Sequence, residues 1–152
     1  MKKILYLIIG VLFFSLLFCS RESEVTGEPE KITDLLRSNY RSSEIRKYYS
    51  SKTVEVLEKF GKKNGVSDSE LTNILSIIPE KAEFQTLLSK KGDDKCIIKV
   101  KFTGGVAENL KGLEISLPVV KEDGAWKVDR TGDFRKMLES VKPGNHESYF
   151  ER

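Results

Sequence analysis

The feature that most limits how this chain can fold is a change of hydrophobic period near Ala82. Before it, apolar residues recur three and four apart, as on one face of a helix: Ile32, Leu35, Leu36 and Tyr40, then Val54, Leu57 and Phe60, then Leu71, Ile74, Leu75 and Ile78. After it they alternate. In "CIIKVKFT" Cys96, Ile98, Val100 and Phe102 share one face, and in "LEISLPVV" Leu113, Ile115, Leu117 and Val119 do the same. In "AWKVD" the alternation points Trp126 and Val128 inward and Lys127 and Asp129 outward. A further run, "AEFQTLLS", precedes the turn "KKGDDK", and Asp123-Gly124 is a hairpin signal. Four successive strands with short turns predict an antiparallel meander with one face open to helices. The expected class is α+β: N-terminal helices packed on a curved four-stranded sheet, closed by a short C-terminal helix.

Local signals place the helices. Pro29 suits the first turn of a helix, and the segment from Ser43 to Asn64 is predicted helical with a break near Ser50-Ser51. In "VSDSEL" Ser67 and Glu70 form a capping box, with Val66 and Leu71 as its hydrophobic staple. Pro79 is expected to stop that helix, because it disfavours helical geometry in the residue before it. Phe134, Met137, Leu138 and Val141 predict the last helix, ended by "KPG". The folded domain is therefore expected over residues 29 to 141, followed by a disordered charged tail over 142 to 152.

Ahead of the domain, Lys2 and Lys3 precede an uncharged run from Ile4 to Phe18 that ends at Cys19. At fifteen residues the run is short against the roughly 20 that cross a bilayer and long enough for an export signal. Three readings compete: an uncleaved signal anchor, an ordinary cleaved signal, or a signal whose terminal cysteine takes a lipid. The junction offers no A-x-A-like pair of small residues for ordinary cleavage. Leu16, Leu17, Phe18 and Cys19 resemble the lipobox of bacterial lipoproteins, which is lipidated on the cysteine and cut just before it. Leu16 and Cys19 match that pattern, and Leu17 and Phe18 are bulkier than its usual small residues. The resemblance implies a signal peptide over 1 to 18 and lipidation of Cys19; the polar stretch that follows, without apolar periodicity, reads as a flexible tether over 19 to 28. It also implies a cell-envelope location, at the outer membrane where one exists, since Ser20 replaces the Asp that retains lipoproteins at the inner membrane. Several acyl chains at about 0.8 kcal/mol per buried methylene would hold such a protein stably.

Chemistry is sparse in the rest. Removing Lys2 and Lys3 from 26 basic residues leaves 24 against 23 acidic ones, so no concentrated basic charge points to nucleic acid. His146 is the single histidine and lies in the tail, without the convergent ligands that a metal needs. Cys96, on a predicted strand among apolar neighbours, reads as a buried and inert thiol; with Cys19 lipidated it has no disulfide partner in the chain. Arg46 to Tyr49 ("RKYY") reads as part of an amphipathic helix whose tyrosines half-pack on the sheet. Thr103-Gly104-Gly105 lacks the Lys-Ser/Thr ending of a phosphate loop, and Lys62-Lys63 and Lys90-Lys91 read as solvated turns.

The order of helices before a meander, closing on "VVKEDGAWKVD", is similar to the nuclear transport factor two-like (cystatin-like) superfamily, particularly small bacterial lipoproteins with its domain of unknown function. Asp123, Gly124, Trp126, Lys127 and Val128 carry the resemblance. It implies a cone-shaped sheet wrapped on a helix, often with an apolar pocket. The expected function is a non-enzymatic, lipid-anchored binding domain for a small apolar ligand or another envelope protein, with no catalytic residues, cofactor or metal. The alternative is an isomerase- or dehydratase-like enzyme with a carboxylate in the cone.

Overall fold

The computed structural model describes residues 27–140; the expectations for the signal, Cys19, Val141, His146 and the tail lie outside them. A 3-10 turn at Pro29–Lys31 runs into helix α1 (Ile32–Ser38), and a second one (Ser43–Tyr48) precedes α2 (Ser51–Asn64) and α3 (Asp68–Leu75). Four strands follow, β1 (Glu83–Lys91), β2 (Lys95–Gly104), β3 (Glu114–Glu122) and β4 (Ala125–Val128), and then α4 (Thr131–Ser140). The sheet order is β1-β2-β3-β4, every pair antiparallel, which is the predicted α+β meander.

Each element forms for a readable reason. The Ser43–Asn64 segment breaks where expected, because Ser50 turns extended and its hydroxyl accepts the Thr53 N–H, capping α2. Ser67 and Glu70 form the full capping box of α3. Asp123 and Gly124 both take positive φ, the geometry by which a two-residue turn matches the twist of the strands it joins. Pro118 is tolerated inside the sheet because its carbonyl, and so its missing N–H, faces the β4 side beyond the end of that strand. There the carbonyl accepts the Asp129 N–H at 2.8 Å.

The helices cover one sheet face, and a continuous core lies between the layers. Cys96, Ile98, Val100 and Phe102 of β2, Leu117 and Val119 of β3 and Trp126 and Val128 of β4 meet Ile32, Leu36, Ile45, Leu57, Leu75 and Phe134. The predicted inward positions of β2 and β4 are all buried.

Three boundaries differ from expectation. Helix α3 ends at Leu75, well before Pro79: the Ser76 hydroxyl donates back to the Thr72 carbonyl and accepts the Arg41 N–H, and Ile78 leaves the helical path to enter the core. Strand β1 runs on through Lys90 and Lys91, which pair with Ile97 and Cys96 across a bulge, so the turn is confined to Gly92–Asp94. Leu113 precedes β3 and is 45% exposed, its N–H and C=O held by Leu110 and Phe102 instead of its side chain joining the core.

Candidate functional site

Among the described residues, polar groups gather in two places. The first is where α2, β4 and α4 meet. Asp129 is half-buried there, not turned out to solvent as the alternation predicted, because the chain leaves β4 at Val128 and enters α4 at Thr131, with only two residues between. One oxygen, Oδ1, accepts the Thr131 hydroxyl at 2.6 Å and its N–H at 3.0 Å, the Thr53 hydroxyl at 3.2 Å and the Ser50 hydroxyl at 3.3 Å. The Thr53 hydroxyl oxygen also accepts the Arg130 N–H at 2.9 Å. Burial alone would raise the Asp129 carboxyl, but the hydrogen bonds from Thr131, Thr53 and Ser50 together outweigh it and hold it below the usual range. A carboxylate so engaged is a poor proton acceptor, and its geometry is that of a clamp joining helix starts.

Beside the clamp, Tyr49 forms a parallel bridge with Val128, and the Ser50 N–H donates to the Val128 carbonyl at 2.9 Å. The segment thereby meets the outer edge of β4 at its last residue. Of the two tyrosines in "RKYY", Tyr48 is half-buried as expected and Tyr49 is buried fully. The Tyr49 hydroxyl donates to the Leu75 carbonyl at 2.5 Å, and burial, only partly offset by Arg130, pushes its phenol far above the usual range. It is a structural donor and not an acid at any physiological pH.

The second place is an open depression of about 560 Å³ between α2 and α3, lined by Arg46, Glu58, Gly61, Lys62, Val66 and Asp68 among others. Two of these lining residues, Arg46 and Asp68, pair at 3.0 Å. The lining is mixed in charge and lies on the helical side of the molecule. The inner sheet face, where an apolar cone pocket was expected, is occupied by packed side chains: Ile98, Val100, Val119 and Val128 are fully buried.

Cys96 is buried as predicted, and burial followed by the Glu30 charge raises its thiol. Trp126 is 3% exposed, and its Nε1 has no hydrogen-bond partner. Among the described residues no group of three or more His, Cys, Asp or Glu could hold a metal, and no helix is long and apolar enough to cross a membrane. The clamp was not foreseen from the sequence; the only local signal was Asp129 two residues ahead of Thr131, an Asp-x-Thr pattern at a helix start. No family model, curated protein or solved structure matches the chain.

Proposed function

We propose that the chain is a lipid-anchored protein of a bacterial cell envelope whose α+β body serves as a non-enzymatic binding domain. The observation that carries the reading is the N-terminal sequence: two lysines, fifteen uncharged residues and Cys19, followed at once by a polar stretch. In this reading the signal is removed at Phe18, Cys19 carries the acyl chains, and residues 19 to 28 tether the domain to the outer membrane where one exists.

The body is proposed to be of the nuclear transport factor two-like type, supported by the order of helices before a meander and by the Asp123-Gly124 hairpin with Trp126. Another envelope protein is the favoured partner over a small apolar ligand. The support is that the inner sheet face is filled by side chains while the depression between α2 and α3 is open and charged. A binding role is favoured over an isomerase-like one because the half-buried carboxylate of Asp129 is engaged by four hydrogen bonds and held ionised.

Metabolic labelling with a fatty acid tests the anchor. The wild-type chain is expected to take up label and Cys19→Ala to take up none, with unprocessed signal accumulating. Equal labelling of the two would refute lipidation at Cys19.

A further inference from the structure

We infer that the free edge of β1 pairs with β1 of a second copy of this chain, antiparallel, about a twofold axis at Leu87. The sheet has two edges, and they are finished differently. That of β4 is only four residues long and is bridged at its last residue, Val128, by Tyr49 and Ser50. That of β1 runs for nine residues, and α1 reaches this strand from the inner face and not along its edge. Thr33 meets Thr86 hydroxyl to hydroxyl at 3.3 Å, and Arg37 lies over the Phe84 ring.

Register fixes which backbone groups are free. Phe102 of β2 exchanges hydrogen bonds with Leu113 and Gly112, toward β3, so its neighbour Lys101 and, two further on, Lys99 turn toward β1. Their partners are Gln85 and Leu87. The N–H and C=O groups of Phe84, Thr86 and Leu88 therefore face away from the sheet, and among the described residues none has a partner outside it. An edge of this kind is a template for another strand.

Two further observations select a second copy as the occupant. Leu87 is 60% exposed, the most exposed large apolar side chain described, and it sits at the middle of the strand on the face away from the helices. An axis at Leu87 makes it a non-hydrogen-bonded pair with its own symmetry mate, the class in which side chains come closest. On either side, Thr86 exchanges N–H···O bonds with Leu88 of the second copy. The strand also carries opposite charges at its ends, Glu83 at the start and Lys90-Lys91 at the finish. An antiparallel copy sets Glu83 beside the second copy's lysines, whereas a parallel copy would stack lysine on lysine. The bulge after Leu88 limits the regular pairing to the centre, so the contact falls in the small, reversible class of interfaces.

The test is disulfide capture in the full-length chain. In a Cys96→Ser background, Leu87→Cys is compared with Ser116→Cys, an exposed position on the central strand β3, and with the background alone. A non-hydrogen-bonded antiparallel pair holds its Cα atoms about 4.5 Å apart, inside the disulfide window, so Leu87→Cys is expected to give reducible dimers at least about tenfold faster than Ser116→Cys. Native mass spectrometry is expected to find dimers of the wild type that Leu87→Lys abolishes, with the Trp126 fluorescence of a folded protein retained. Equal oxidation rates, or a wild type that is monomeric at every concentration, would overturn the proposal. A monomer whose Phe84, Thr86 and Leu88 amides resist hydrogen exchange would overturn it too, by assigning the edge to another segment of the same chain.

Discussion

Replacing Asp129 by Ala removes the acceptor of four hydrogen bonds at once, from the Ser50, Thr53 and Thr131 hydroxyls and the Thr131 N–H. A hydrogen bond to a charged group contributes about 1.5–3 kcal/mol, yet bonds that share one oxygen are not additive. The hydroxyls keep each other: Ser50 and Thr53 lie 2.8 Å apart, and Thr53 and Thr131 lie 3.2 Å apart. What is lost outright is the charge assistance and the partner of the first N–H of α4, a capping contribution of about 0.5–2 kcal/mol. The expected cost of Asp129→Ala is about 2–4 kcal/mol, and that of Asp129→Asn, which keeps an oxygen, is about 1 kcal/mol. Urea unfolding followed by the single tryptophan, Trp126, reads the difference as a midpoint shift of roughly 1–2 M for the Ala variant. Because the folded Asp129 carboxyl is depressed, its stabilisation is complete above the unfolded value near 3.8 and is lost as pH falls through the lower folded one. The gap between wild type and Asp129→Asn must therefore close in acid. An Ala variant within about 0.5 kcal/mol of wild type, or a gap that persists at low pH, would contradict the clamp.

Gly105 has φ +64° where a Cβ would overlap the Lys81 carbonyl oxygen, whereas Gly112 at φ +84° faces open space. Gly112→Ala is expected to cost about 1–2 kcal/mol for the left-handed backbone alone, and Gly105→Ala at least about 1 kcal/mol more; equal urea midpoints would exclude the close approach. In a Cys19→Ala background the buried Cys96 thiol, raised by its surroundings, is expected to ignore an aromatic disulfide reagent in the folded protein and to react fully in urea. Rapid reaction without denaturant would disprove its burial.

What could be read in advance was whatever neighbouring residues decide between themselves. The box at Ser67 and Glu70, the Asp123-Gly124 turn and the alternation of Cys96, Ile98, Val100 and Phe102 are all local, and all appear as expected. Two of the misses turn on a partner distant in sequence. Helix α3 ends early in part because Arg41 donates to Ser76, and Asp129 turns inward because Ser50 and Thr53 wait for it on a helix seen only as an apolar stripe. Leu113 fits the alternating pattern perfectly well and is still exposed, since its backbone is tied to Leu110 and Phe102 before the strand begins. The depression between α2 and α3 had no sequence signal at all. Its lining comes from the 3-10 turn and from both helices, and no spacing rule links Arg46 to Asp68.

The docking of Tyr49 and Ser50 at the β4 edge also has a consequence in time. The meander joins neighbours through connections of three, nine and two residues, which are inexpensive to close in entropy; the Ser50–Asp129 contact spans 79 residues and is not. Strands β1 to β3 can therefore zip early, while Val128 stays unbridged until the helical half of the chain docks. During that interval the folding chain exposes the whole of both sheet edges, and its risk of pairing with the wrong strand is greatest then. Docking of Tyr49 at Val128 shortens the exposed edge of β4 and leaves that of β1 as it was.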